Sequence, residues 1–169
     1  MNQQEFLHIV LPFKDKLYRL AKRYLISTDS AEDATQEILL KLWINKLKLK
    51  NYNNVEAFAM TMTKNYCLDR LKAKSSQNLK LVHSNYKDNT VALEKQIETN
   101  DSVSIVEKLL NELPEKQRVI MQLRDIEQYT FEEIGKILEL KPTAIRVNLS
   151  RARKTIREKL LKKHNYGIR

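Results

Sequence analysis

Along most of the chain, apolar residues recur at three- and four-residue spacing, the period of an amphipathic helix rather than the alternation of a strand. Over residues 5–26 the pattern is carried by Leu7, Val10, Leu11, Leu17, Leu20, Ala21, Tyr24 and Leu25. Pro12 either kinks this helix or starts its main part. Ser27-Thr28-Asp29-Ser30 reads as a loop ending in an N-cap, with Ser30 and Asp33 spaced as a capping box. A second helix is expected to about Asn45, with Ala34, Ile38, Leu39 and Leu42 as its stripe. Glu32 and Asp33 sit in its first turn, where the macrodipole favours them. Residues 46–54 are polar, basic and Asn-rich and predict a loop. The alternation over 46–50 would fit a short strand, but no partner strand is visible. A third helix is expected from about Val55 to Lys74. Periodicity fades over 75–101, which predicts a linker with one short helical turn near Val91–Ile97.

The second half begins with the stripe Ile105, Val106, Leu109, Leu110 and Leu113. Pro114 starts a new helix, where its missing N–H costs nothing, and Val119, Ile120 and Leu123 form the buried side. Thr130-Phe131-Glu132-Glu133 is a T-x-x-E capping box opening a short helix with Ile134, Ile137 and Leu138 on one side. Residues 139–142 break it, and a last helix runs from about Pro142 to Lys163. The expected fold is all-α. Two small helical domains, 1–75 and 105–169, are joined by a flexible linker, 76–104, and the second domain contains a helix-turn-helix.

Composition narrows the function. Only 2 Gly and 3 Pro in 169 residues argue against a turn-rich β fold and against Gly-rich phosphate cradles. One Cys, Cys67, excludes a disulfide framework and a multi-cysteine zinc site, and it reads as a buried small hydrophobe. The His residues at 8, 83 and 164 form no helical metal pair. No metal and no cofactor are expected. No apolar run reaches the ~18 residues of a membrane span, and no signal-peptide pattern opens the chain. These features predict a soluble, cytoplasmic protein. The net charge is +10, and residues 141–169 hold 10 basic groups against 1 acidic. A basic block confined to one element suggests a polyanion footprint.

At 100° per residue, Ile145, Leu149, Ala152 and Ile156 of the last helix share one face. Thr143, Val147, Ser150, Arg151 and Lys154 lie opposite, with Arg146 and Arg157 at one edge and Asn148 at the other. Such a helix fits a major groove. Arg bonds guanine bidentately, Asn bonds adenine, and Lys neutralises phosphate. A solvated amphipathic helix with cations favourably placed at its C-terminus is the bland alternative.

Four segments together resemble a known family. Residues 30–43, Ser-Ala-Glu-Asp-Ala-Thr-Gln-Glu-Ile-Leu-Leu-Lys-Leu-Trp, are similar to the D-A-E-D-x-x-Q-E-x-F-x-x-x-W signature of extracytoplasmic-function sigma factors. Those are small promoter-specificity subunits of bacterial RNA polymerase. Leu113–Ile120 resembles their L-P-x-x-x-R-x-V/I segment, Phe131–Gly135 their Y-x-E-I-A, and Leu149–Arg153 their L-x-R-A-R. The segments occur in order, and the resemblance covers about residues 6–75 and 105–162.

The resemblance implies no catalytic activity. It implies an N-terminal domain for the polymerase clamp helices and the −10 element, and a C-terminal one for the flap and the −35 element. The partners would be core polymerase, double-stranded and melted promoter DNA, and an anti-sigma factor. Asp33, Gln36 and Glu37 lie off the apolar stripe as exposed acceptors. From the residues alone they form a solvated face, whereas in the family their positions match the core-enzyme contact. Trp43 continues the apolar pattern and reads as a core anchor. Residues 46–54 fall where the family captures a flipped −10 base. Lys48, Lys50, Asn51, Tyr52, Asn53 and Asn54 supply amides, an aromatic ring and cations for it, and Asn65 and Arg70 are backbone-contact candidates. The −35 candidates are Thr143, Arg146, Val147, Asn148, Ser150, Arg151, Lys154 and Arg157. The chain departs from the family in the helix-turn-helix. Glu139 replaces the usual Gly of the turn, Thr143-Ala144 the usual Gly-Thr, and Val147-Asn148 the frequent Ser-Arg. These departures bear on the −35 sequence read, not on the mode of binding. Two other classes fit the sequence less well. A stand-alone helix-turn-helix regulator does not account for the 30–43 helix, and a helical nuclease lacks metal-cluster spacing.

Overall fold

The computed structural model describes residues 1–82 and 101–166, and among these there is no strand. Helix α1 (Gln3–Leu25) starts earlier than its apolar pattern. Asn2 caps it, its side-chain oxygen accepting from the Glu5 N–H at 2.8 Å while the Glu5 carboxylate accepts from the Asn2 N–H at 3.2 Å. Pro12 lies inside α1 without ending it. Helix α2 (Thr28–Ile44) is capped by Ser27, not Ser30. The Ser27 hydroxyl accepts from the Ser30 N–H, so the expected four-residue loop is mostly first turn. Residues 46–49 are neither loop nor strand but one helical turn, α3 (Lys46–Leu49). The alternation there is resolved by Leu49, which is buried while Leu47 faces solvent.

Helix α4 (Val55–Val82) overruns its expected end at Lys74 and takes in the first seven residues of the expected linker. Ser75–Val82 contains no Gly or Pro, so a helix already nucleated upstream propagates through it. Helix α5 begins inside the other end of the expected linker (Asp101–Glu112). The expected turn near Val91–Ile97 lies outside the described residues. Then come α6 (Glu115–Met121), a π-helical turn (Gln122–Ile126), α7 (Phe131–Leu138) and α8 (Pro142–Tyr166).

Helix α1 packs on α2 and α4, and α8 packs on α6, α7 and α5. The two groups are not separate bodies. One cluster of buried side chains runs from Leu17, Leu20, Ile38 and Met60 to Ile120, Leu123, Ile134 and Ile145, because α1 and α4 also pack on α6, the π-turn and α7. Each half alone would bury a small core, and joining them covers apolar faces that α1 and α7 would otherwise expose. A satellite core of Leu109, Leu110, Leu113, Ala152 and Ile156 fastens α5 to α8. Arg118 of the Leu-Pro segment serves this junction: its guanidinium donates to the Asn111 and Leu113 carbonyls at the end of α5, both at 3.3 Å.

Candidate nucleic-acid and polymerase interfaces

The helix-turn-helix is built as its sequence demands. The Thr130 hydroxyl accepts from the Glu133 N–H at 3.1 Å, and the Glu133 carboxylate accepts from the Thr130 N–H at 2.8 Å. Helix α7 ends on Glu139, which takes the left-handed conformation (φ 56°, ψ 46°) that a Gly normally supplies. The Leu140 N–H then closes on the Gly135 carbonyl at 3.1 Å. A Cβ on Gly135 would stand 3.0 Å from the Leu140 carbonyl oxygen, so this close approach uses one of the chain's few glycines.

On α8 the core face is Ile145, Leu149, Ala152 and Ile156, all buried. Thr143, Arg146, Val147, Ser150, Arg151, Lys154 and Arg157 are exposed. Asn148 is half-buried, and its amide donates to the Ala144 carbonyl at 2.8 Å, so one donor of this adenine-reading candidate is spent on its own helix. The Arg146 guanidinium sits 5.6 Å from the centre of the Phe131 ring, and the Arg124 guanidinium 4.6 Å from it. Phe131 thereby steers Arg146, a role the spacing does not reveal. Arg153 is tied bidentately to Asp125, and this raises its pKa further.

The second candidate face lies on α2–α4. The Tyr52 ring stacks on Phe58, with centroids 4.1 Å apart and planes 17° from parallel. Around this stack, Lys41, Asn45, Lys48 and Met62 enclose a cavity of about 210 Å³. Lys48, Lys50, Asn51, Asn53 and Asn54 are exposed beside it. Asn54 also has a structural task, since its side-chain oxygen accepts from the Ala57 N–H at 2.9 Å in the manner of an N-cap. Phe58, Asn45 and Lys41 are not legible as lining residues, because α3 brings them together with Tyr52 where the sequence pattern predicts a loop. Asn65 and Arg70 are exposed on α4, and Arg70 donates to the Tyr66 hydroxyl at 3.1 Å. Trp43 is half-buried against Phe6 with Lys46 over its ring at 3.5 Å.

Asp33 and Gln36 are exposed on α2, and Glu37 is half-buried, 3.6 Å from Lys41. Past them the exposed side chains Leu40, Ile44 and Leu47 continue along the same elements. Cys67 is fully buried, and that burial pushes its thiol up to about 12. Among the described residues no group of three His, Cys, Asp or Glu comes together as a metal site, and no helix is long and apolar enough to cross a membrane.

A basic helix-turn-helix packed on a second helical region defines a DNA-binding protein of transcription. Residues 9–77 match Sigma-70 region 2, and residues 104–156 match Sigma-70, region 4. The chain is 25% identical over 170 residues to the ECF RNA polymerase sigma factor SigW of Bacillus subtilis, covering 94% of this chain and 90% of that protein. It is 25% identical over 173 residues to the ECF RNA polymerase sigma-E factor of Escherichia coli K12, covering 94% and 88%. Among solved structures, its fold matches the sigma factor RpoE in complex with the anti-sigma factor NepR from Bartonella quintana. There the TM-score is 0.72 at 23% identity, covering 94% of this chain and 98% of that one. The chain belongs to the sigma-70 family, in its extracytoplasmic-function group. It is a promoter-recognising subunit of RNA polymerase and not an enzyme.

Proposed function

We propose that the face carrying Asp33, Gln36 and Glu37 docks on the clamp helices of core polymerase, and that the Tyr52–Phe58 cavity receives a base of the melted −10 strand. Asn51, Asn53, Lys48 and Lys50 flank that cavity as amide readers and phosphate holders, with Asn54 at its edge and Asn65 and Arg70 on the adjoining helix. The α8 face of Thr143, Arg146, Val147, Ser150, Arg151, Lys154 and Arg157 reads the −35 duplex, with Asn148 at its margin. Region 4 also meets the polymerase flap. The observation that carries this reading is the placement of an aromatic, cation-ringed cavity and a basic recognition helix on separate elements of one chain. Residues 1–75 would thus serve as the polymerase and −10 domain, and residues 105–169 as the −35 domain. The work is cytoplasmic. An anti-sigma factor is the natural regulator, since the RpoE of Bartonella quintana is solved in complex with the anti-sigma factor NepR.

The test is reconstitution. The full chain and core polymerase should start transcription from a cognate promoter with no further factor. Glu37→Lys should weaken core binding at least tenfold while circular dichroism shows unchanged helix content. Unchanged affinity for the core enzyme would remove the acidic face from the docking surface.

A further inference from the structure

Met60, Thr63, Lys64 and Cys67 of α4 are all buried, and their three- and four-residue spacing puts them on one face. Lys64 therefore occupies a place on α4 that an apolar residue would ordinarily fill. It is only 5% exposed, and it has no hydrogen-bond or ion-pair partner among the described residues. Buried charges are ordinarily paired or held by a bound counter-ion, because an ammonium stripped of water and left alone is costly. Lys64 borders a cavity of about 210 Å³ between α1, α4, α6 and the turn that follows α7. Tyr24, also 5% exposed, borders the same cavity from α1, and its hydroxyl has no partner either among the described residues. Burial, with the Glu115 charge adding to it, raises the Tyr24 pKa well above the ordinary phenol value. The hydroxyl thus keeps its proton as a donor at neutral pH. Neither group is sealed off as the Arg118 Nε is, and the open space beside both is this cavity.

The remaining walls select the ligand. Leu68, Val119, Leu138 and Leu140 make them apolar. Glu115, Lys116 and Glu139 stand at the rim, exposed to water, where their charges are screened. The interior thus offers two donors and a greasy lining. An inorganic anion would satisfy the donors and leave the apolar side chains uncovered, and a hydrocarbon would leave Lys64 unpaired. The volume equals about seven waters at ~30 Å³ each, the size of a carboxylate of about five carbons. We propose that this cavity binds a small aliphatic carboxylate, its oxygens accepting from the Lys64 ammonium and the Tyr24 hydroxyl and its chain lying on the apolar walls. The site does not rest on the sigma reading, and none of its residues belongs to the polymerase or promoter faces proposed above.

Isothermal titration calorimetry of the full chain with sodium isovalerate tests it. One saturable site is expected, with a Kd of about 1 mM. At ten times that concentration the melting temperature should rise by about 3–5 °C. Lys64→Met keeps the length of the stem and removes the ammonium, and it should weaken binding at least thirtyfold. Tyr24→Phe deletes one oxygen and should weaken binding about tenfold. Circular dichroism checks that both variants fold, and if Lys64→Met does not, Tyr24→Phe carries the test. Isoamyl alcohol has the same branched chain without the carboxylate and should not bind measurably. No saturable binding to the wild type would mean a cavity that holds water only. That result, equal binding of isoamyl alcohol, or unchanged isovalerate affinity in a folded variant overturns the site.

Discussion

Arg153 of α8 grips Asp125 of the π-turn, with Nε 3.0 Å from one carboxylate oxygen and an η nitrogen on the other. Two residues earlier, Arg151 is exposed and makes no ion pair among those described. The Leu-Ser-Arg-Ala-Arg segment therefore holds two arginines with different tasks. One fastens the recognition helix to the body of its domain, and the other faces outward. The pair is partly exposed, so its contribution is near the top of the surface range, about 1 kcal/mol. Arg153→Ala should lower the melting temperature by about 2–4 °C and leave the preferred −35 sequence unchanged. Thermal denaturation and promoter selection read these two effects separately.

Among the described residues, Glu139 is one of three non-glycine residues with positive φ, alongside Ile26 and Gln128. In a chain with only 2 Gly, such turns fall to residues with side chains. The left-handed conformation costs an L-residue ~1–2 kcal/mol, and Gly gives back ~0.5–1 kcal/mol through its freer unfolded state. Glu139→Gly should therefore stabilise the chain by about 0.5–1 kcal/mol in urea denaturation with an unchanged m-value. A destabilised variant would show that the Glu139 side chain makes up for its backbone strain.

On the proposed reading, the Tyr52–Phe58 stack is the aromatic platform that an unstacked −10 base would meet. Such stacking is worth about 1–3 kcal/mol per base. Tyr52→Ala should lower permanganate reactivity of −10 thymines about tenfold or more at limiting holoenzyme, while Tyr52→Phe retains most of it and both bind core polymerase normally. Full promoter opening by Tyr52→Ala would exclude the cavity from melting.

What the sequence could show follows from what periodicity measures. It reports which face of a helix is apolar, and so the α8 core residues and the exposed Arg and Lys of the same helix were legible. The Thr130–Glu133 capping box was legible because its partners are three residues apart. The Arg19–Glu127 pair was not, because its members are 108 residues apart and each looks like an ordinary surface charge. Periodicity gives a face but not what covers it. The shared core of the two regions was hidden for that reason. α3 escaped because four residues are too few to show a helical period. Asn54 and Asn148 show the converse limit: amides suited to reading bases are also suited to bonding their own backbone, and here both do so.

If α8 reads the −35 duplex as proposed, position along it should separate residues that read bases from those that only hold the backbone. Arg146 and Arg151 project from the start and middle of the exposed face, where base edges come within reach. Lys154 and Arg157 follow about a turn later, where a straight helix leaves the groove and passes the phosphates. Losing a bidentate Arg should cost about 1–3 kcal/mol and relax preference at one base pair. Losing a phosphate contact should weaken all sequences alike and lower the salt slope by about one unit. Arg151→Ala is therefore expected to change the −35 preference, and Lys154→Ala to lower occupancy across all sequences with the preference intact. Arg146→Ala should behave like Arg151→Ala, and Phe131→Leu should reproduce part of its effect by freeing the guanidinium from the ring. Selection from a randomised −35 library by holoenzyme reads every one of these variants in a single format. A preference left untouched by Arg151→Ala at every position would mean that a different face of α8 enters the groove.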